Sequence, residues 1–158
     1  MTAVLVIAAI VVALDQVTKV IVLQHLASGV SISLVDGLLA FTLVLNPGLA
    51  FGLLAGLPVA WRWVVVALSL GALIMLVRVA MRILTPGSAL DRLAVGLVFG
   101  GAVGNLIDRA RFGAVVDFVD VHYHGWHWPA FNVADSAITV GVTLLVFRFL
   151  LRPTAYQA

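Results

Sequence analysis

The chain opens on an almost unbroken apolar run, MTAVLVIAAIVVAL, which resumes after Asp15, Gln16, Thr18 and Lys19 and continues to Leu23. A helix over 3–23 rising 1.5 Å per residue is roughly 30 Å long, the thickness of a bilayer's hydrocarbon core. No positively charged segment precedes the run and no small-residue cleavage motif follows it, so a retained transmembrane helix is expected and not a secretory signal. Three more apolar stretches predict spanning helices over 58–83, 92–107 and 131–151. The first has Trp61 and Trp63 at one end, where amphipathic rings favour the headgroup level, and Arg78 and Arg82 at the other. The second carries Gly96, Gly100, Gly101 and Gly104, small residues that let another helix backbone come close. The third ends at Arg152-Pro153.

Between the first two helices the pattern breaks up. Gly29, Ser31, Ser33, Asp36, Gly37 and Asn46-Pro47-Gly48 punctuate two β-branched runs, SISLV and FTLVL, which read as strands. Residues 110–128 form a polar and aromatic loop containing a period-two stretch, AVVDFVDV, that as a strand would send Asp117, Val119 and Val121 to one side and Phe118 and Asp120 to the other. The expected fold is therefore an all-α integral membrane protein, one domain over 1–158, with four transmembrane helices and a small extracytoplasmic β-containing segment.

Composition sharpens this. Hydrophobic residues make up 63% of the 158 positions; with the 14 glycines the apolar share is about 72%, against roughly 45–50% in soluble domains. Disorder is excluded. The formal net charge of +2 comes from one Lys and eight Arg against seven Asp, with no Glu at all, whereas a solvated helix surface spends Glu and Lys freely. So few charges cannot line a phosphate-tracking surface, and no nucleic-acid partner is expected. The absence of Cys removes disulfides, thiolate metal sites and thiol nucleophiles together. With the amino terminus in the cytoplasm, Arg78, Arg82, Arg92, Arg148 and Arg152 fall at the inner face and Arg62, Arg109 and Arg111 toward the outer one, with Lys19 a fourth outer-half charge. That bias favours a cytoplasmic membrane location with both termini inside, and it collects the chain's polar clusters at the extracytoplasmic face.

Each polar residue in such a chain needs a reason, because an ionised group at the bilayer centre costs roughly 2.5–3.5 kcal/mol on insertion scales. Asp15 and Lys19 lie one helical turn apart and can neutralise each other, either as a buried pair that fixes packing or in contact with a substrate; Lys19 can also reach outward to the interface. Asn46 begins a Pro-Gly turn deep in apolar sequence, where its amide must find partners. Asn105, Asp108 and Arg109, at i, i+3 and i+4, form one polar stripe, with a rim salt bridge between Asp108 and Arg109 the simplest reading. Asn132 reads as a helix cap with Asp135 three residues on, an acidic capping pattern that also holds a carboxylate at a chosen depth. Asp117 and Asp135 are outward-facing carboxylates from different elements. Two such groups sharing a proton are the minimal apparatus for activating water against a peptide carbonyl.

Two rival chemistries compete. His122, His124 and His127 with Asp117 and Asp120 offer Zn²⁺ ligand types, His122 and His124 being expected on one face of a strand. The same segment, with Tyr123, Trp126 and Trp128, reads more simply as an aromatic interfacial loop, leaving metal: none as the expectation. A small proton-coupled membrane transporter could instead line a path with Asp15, Asp117 and Asp135, but a carrier needs polar positions toward both membrane faces.

Five ordered stretches resolve the choice: D-Q-x-x-K at Asp15–Lys19, N-x-G-x-A-F at Asn46–Phe51, G-G-A-x-G-N-x-I-D-R at Gly100–Arg109, V-V-D-F at Val115–Phe118 and F-N-x-A-D-S at Phe131–Ser136. Together the chain resembles the lipoprotein signal peptidase family, or signal peptidase II, the membrane aspartyl peptidases of bacterial lipoprotein precursors. The resemblance implies that Asp117 and Asp135 are the catalytic carboxylates. Asn105, Arg109 and Asn132 match polar residues lining the site, and Asn46, Asp15 and Lys19 match further motif positions near it, with Asp108 in the same stretch as Asn105. It implies a diacylglyceryl-modified prolipoprotein substrate cut on the amino side of the lipidated Cys, globomycin-like cyclic peptides as inhibitors and no cofactor; membrane lipids are the expected surroundings and a monomer the expected working unit. Pro47 and Leu49 depart from the residues common around the Asn-Gly motif.

Overall fold

The computed structural model describes residues 1–48, 56, 58, 62–84 and 88–150. The expected start of the second helix and its Trp61, the turn at 85–87, the part of the Asn46 motif from Leu49 to Phe51, and Arg152 lie outside the described residues. In chain order the elements are α1 (Thr2–His25), β1 (Ser31–Val35), β2 (Leu39–Asn46), α2 (Arg62–Leu84), α3 (Ala89–Phe112), β3 (Val115–Tyr123), β4 (Trp126–His127) and α4 (Val133–Leu150). Three of the four helices, α1, α3 and α4, are long and apolar enough to cross a membrane; α2 carries the shorter apolar stretch Trp63–Val79.

Burial on α1 follows Val4, Ala8, Val11, Asp15, Lys19 and Val22, a stripe stepping by three and four residues. The remaining face is equally apolar yet open: Leu5, Val6, Ile10, Leu14, Val17 and Ile21 are all exposed. A helix hydrophobic all round, with one face against protein and the other bare, is one surrounded by lipid.

The middle helix is α3, packed against α1, α2 and α4. Its glycines explain how it fits. A Cβ on Gly100 would lie 2.8 Å from the Ala8 carbonyl oxygen and 2.9 Å from the Ala8 Cα, and one on Gly101 would run into the backbone of Ala134 on α4. Both neighbours are therefore seated against bare backbone. At its start, Ser88 and Asp91 cap α3 reciprocally: Asp91 N donates to Ser88 Oγ at 3.2 Å and Ser88 N to Asp91 Oδ2 at 2.8 Å. Arg148, near the end of α4, reaches the same Asp91 at 3.2 Å.

The segment between α3 and α4, expected as a polar and aromatic loop with a period-two stretch around Asp117, holds the strand β3 over that stretch and a second strand, β4, and α3 runs on to Phe112 before Gly113 turns it with a φ of 67°. The strands form an antiparallel sheet in the order β1-β2-β3-β4, so the two long inter-helix segments are one unit. The buried end of β3, Val115–Phe118, sits against the helices, with Phe118 packed on Val22 of α1 and on Leu26 just past its end, and edge-on to Phe41 at 5.9 Å. Phe131 is bridged to Val119, donating to its carbonyl at 3.1 Å and accepting from its N–H at 2.8 Å. That bridge ties the start of α4 to β3.

Candidate active site

Asn132 follows Phe131 directly, so the Val119–Phe131 bridge brings the α4 cap up against β3. Asn132 Oδ1 accepts from Asp135 N at 2.8 Å while Asp135 Oδ2 accepts from Asn132 N at 3.3 Å, the reciprocal cap expected from the sequence. The Asn132 amide, fully buried, donates to Asp117 Oδ1 at 2.7 Å and also lies 3.2 Å from both Asn105 Oδ1 and the Val116 carbonyl. One side chain thus touches β3, α3 and α4. Asn105 Nδ2 donates to Asp135 Oδ1 at 2.8 Å.

From the other side, β2 delivers Asn46. The β2–β3 register slips between Phe41 and Val44, where β2 holds one extra residue, and Val44 then lies opposite Asp117 and Asn46 opposite Val115. Asn46 Nδ2 donates to Asp117 Oδ2 at 3.1 Å, and its own oxygen accepts from Gly48 N at 3.0 Å, closing the turn the sequence predicted. Asp117 is 2% exposed. Burial and then the nearby charge of Asp135 push its carboxyl up from 3.8 to about 7; the Asn46 and Asn132 hydrogen bonds and Lys19 pull the other way.

Beneath the pair lies a charged layer. Lys19, 2% exposed, holds Asp15 at 2.8 Å and Asp108 at 2.7 Å, and donates to Asn105 Oδ1 at 3.1 Å. Asp15 accepts from the Ala134 N–H at 2.9 Å and Asp108 from the Val116 N–H at 3.1 Å, so the triad clamps both strand β3 and the α4 start. This decides two readings left open by the sequence. Lys19 does not reach out to the interface, because two buried carboxylates hold it; and Asp108 pairs with Lys19, not with Arg109 in a rim salt bridge. Arg109 instead donates to the Gly48 carbonyl at 2.8 Å and the Asn105 carbonyl at 3.4 Å. Its buried Nε has no hydrogen-bond partner among the described residues.

Gln16 belongs to this layer too, donating to Asp108 Oδ1 at 2.9 Å and approaching Asp15 Oδ2 at 3.2 Å. Sequence reasoning passed it over, although its place in the D-Q-x-x-K stretch was the available signal. Asp15, Lys19, Asn46, Asn105, Asp108, Asp117, Asn132 and Asp135 are thus joined in one hydrogen-bonded network, with Arg109 bonded at its edge. The histidines stand apart: His122 and His127 face Asp120, and His124 occupies the β3–β4 turn with a φ of 49°. The expectation that His122 and His124 share a strand face fails, because the strand turns at His124.

An apolar helical bundle whose buried polar side chains, Asp91 apart, gather at the sheet end, two carboxylates at the focus, defines a membrane protein built around a buried site. Comparison with known proteins gives the family. Residues 7–151 match the signal peptidase (SPase) II family. The chain is 45% identical over 142 residues to the lipoprotein signal peptidase of Syntrophotalea carbinolica, covering 90% of this chain and 87% of that one. It is 44% identical over 143 residues to that of Burkholderia pseudomallei (strain K96243), covering 90% and 84%. Among solved structures it resembles a bacterial membrane enzyme determined in meso at 2.3 Å, with a TM-score of 0.81, 31% identity and coverage of 99% of this chain and 93% of that one. A second such enzyme, at 1.9 Å, gives a TM-score of 0.76 and 34% identity, covering 97% and 96%. The chain belongs to the signal peptidase II family and is a membrane protease.

Proposed function

We propose that this chain removes the signal peptide from diacylglyceryl-modified prolipoproteins, cutting on the amino side of the lipidated Cys, with Asp117 and Asp135 as an aspartyl pair. The observation that carries the reading is the Asn132 amide, which bonds Asp117 through its side chain and Asp135 through its cap and so holds carboxylates from β3 and α4 in one place.

Both carboxylates accept two hydrogen bonds, and the roles are assigned from the raised proton affinity of Asp117. Asp117, its carboxyl pushed up to about 7 by burial and by Asp135, is about half protonated at neutral pH, and its protonated form donates to the scissile carbonyl oxygen. Asp135, supplied with donors by Asn105 and the Asn132 N–H, serves as the carboxylate that takes a proton from water. The hydroxide adds to the carbonyl carbon; on collapse the C–N bond breaks, the amine takes the proton from Asp135, and Asp117 is reprotonated by the hydroxyl it had protonated. Two like charges held this close disfavour double ionisation, so one shared proton is the active form. Arg109, whose Nε has no hydrogen-bond partner among the described residues, holds a substrate backbone carbonyl in this reading; Asn46, Asn105, Asn132, Asp15, Lys19 and Asp108 act through the aspartates by orienting them. No cofactor or metal takes part in these steps.

In this reading residues 1–158 are a single membrane-embedded domain with four spanning helices and both termini cytoplasmic. Burial of Lys19 strengthens that orientation, since a lysine consumed by Asp15 and Asp108 no longer counts as an outer-face charge. The site then faces the extracytoplasmic side of the cytoplasmic membrane. Lipid-anchored substrate reaches it laterally along the bare apolar sides of α1 and α4, acyl chains staying in the bilayer. The working unit is a monomer, and globomycin-like cyclic peptides compete for the same site.

The test is cleavage of a lipidated precursor by purified protein, with Asp117→Asn and Asp135→Asn alongside. Each variant should lose on the order of 100-fold or more in turnover, while binding of a globomycin-like peptide persists. Near-normal turnover in either variant would overturn the assignment.

A further inference from the structure

Away from the aspartate pair, the β3–β4 hairpin carries a second cluster. Its two-residue turn is His124-Gly125, with φ of 49° and 80°, and positive φ at both central positions is what a type I′ hairpin requires. That turn fixes the register, so Tyr123 lies opposite Trp126 and His122 opposite His127. Cross-strand partners have Cβ atoms about 4.5–5.5 Å apart, and here the imidazole rings stack, with centroids 5.1 Å apart and planes 22° from parallel. Both rings turn Nδ1 toward Asp120. His127 Nδ1 is 2.9 and 3.1 Å from its two oxygens and His122 Nδ1 is 3.6 Å from the nearer one. His122 Nδ1 is shielded from solvent yet has no hydrogen-bond partner among the described residues.

We propose that Asp120, His122 and His127 form a binding site for a divalent transition metal of the Zn²⁺ class, separate from the aspartate pair, that staples the β3–β4 hairpin. The donor set is two neutral imidazoles and one carboxylate, which suits Zn²⁺ and leaves a fourth position for water. In a tetrahedral site with bonds near 2.0–2.1 Å, ligand atoms lie about 3.4 Å apart. The three candidate ligand atoms already lie within 4.8 Å of one another, and from the single oxygen Asp120 Oδ2 the distances of 3.1 Å to His127 Nδ1 and 3.6 Å to His122 Nδ1 straddle the tetrahedral value. A cation between them gives the orphaned His122 nitrogen a partner and replaces the His127–Asp120 hydrogen bond, the His127 proton moving to its other ring nitrogen. His127 is 58% exposed, so the ion has direct access from solvent. Asp117 lies three residues before Asp120 on β3. The staple therefore stiffens the strand that carries it without touching the reacting groups.

The experiment is calorimetric titration of tag-free, full-length protein in detergent with ZnCl₂ alone, paired with thermal melting. The wild type should bind one equivalent and melt at higher temperature with Zn²⁺ present. Asp120→Asn, His122→Gln and His127→Gln should each weaken binding on the order of 10-fold or more, at least as much as loss of an outer-shell partner. His25→Gln and His124→Gln should bind as wild type. A melting transition near that of the wild type in metal-free buffer verifies that each variant is folded, independently of cleavage. Absence of binding by the wild type at millimolar Zn²⁺, or equal binding by the His122→Gln/His127→Gln double variant, would overturn the site.

Discussion

Replacing Lys19 by Met keeps the side chain's length and apolar stem but removes the charge at the centre of the buried triad. In the native protein the ammonium lies 2.8 Å from Asp15, 2.7 Å from Asp108 and 3.1 Å from Asn105, with Asp15 and Asp108 0% and 1% exposed. After the change each carboxylate keeps two hydrogen bonds, Asp15 from Ala134 N and Gln16, Asp108 from Val116 N and Gln16, but neither keeps a neutralising charge. Removing one partner of a buried ion pair destabilises by about 3–5 kcal/mol. At about 2–4 °C per kcal/mol for a chain of this size, the melting temperature should fall by roughly 6–20 °C. Lys19→Met/Asp108→Asn, which deletes one of the two orphaned charges, should recover part of that loss, and the double-mutant cycle should give a coupling of about 0.5–3 kcal/mol. The assay is thermal or chemical unfolding in one detergent for the wild type, Lys19→Met, Asp108→Asn and the double variant. A second readout separates packing from function: Lys19 helps hold down the proton affinity of Asp117, so its loss should move the alkaline limb of the cleavage profile to higher pH. A Lys19→Met protein that melts within about 1 kcal/mol of wild type, no more than a typical exposed ion pair, would refute the triad as the clamp between α1, α3 and the strand.

Asp117's proton is held up to about 7, and the active pair needs it, so cleavage should fall as pH rises above that value. Asn46→Ala removes a hydrogen bond that favours the charged form and should raise the midpoint by about 1 unit, at 1.36 kcal/mol per unit; a pH–rate profile with an unmoved or lowered limb would contradict this. Gly100→Ala should destabilise by about 1–3 kcal/mol, because its Cβ would meet Ala8 backbone at 2.8–2.9 Å. Gly71→Ala, with nothing within 4 Å, should be neutral or stabilising by up to about 1 kcal/mol. In the Cys-free background, a single Cys at position 36 should label from outside intact cells and one at 87 should not; the reverse pattern would invert the topology.

The sequence alone determined most of what depends on local pattern or on order along the chain. Apolar runs long enough to span a bilayer, the Asn132–Asp135 cap, the Asn46 turn and the spacing of Asp15 and Lys19 are all set within a few residues. The five ordered motifs needed no coordinates to name a family. What sequence could not decide were pairings between segments far apart. The sequence paired Asp108 with its neighbour Arg109, and the structure pairs it with Lys19, eighty-nine positions back; that contact depends on glycines that let α1 approach α3 closely enough for Lys19 to reach. The extra residue in β2 that sets Asn46 opposite Val115 and within reach of Asp117, and the Val119–Phe131 bridge that brings Asp135 to the same place, are register choices between segments. Register is fixed by long-range pairing and burial, since slipping a strand by one residue reverses every side chain it carries. The hairpin at His124-Gly125 is the small-scale case: the sequence offered His122, His124 and His127 with Asp117 and Asp120, and only the turn's positive φ angles put His127, not His124, beside His122. Residue types are a property of the chain, but which of them share a buried volume follows from how helices and strands exclude lipid and water together.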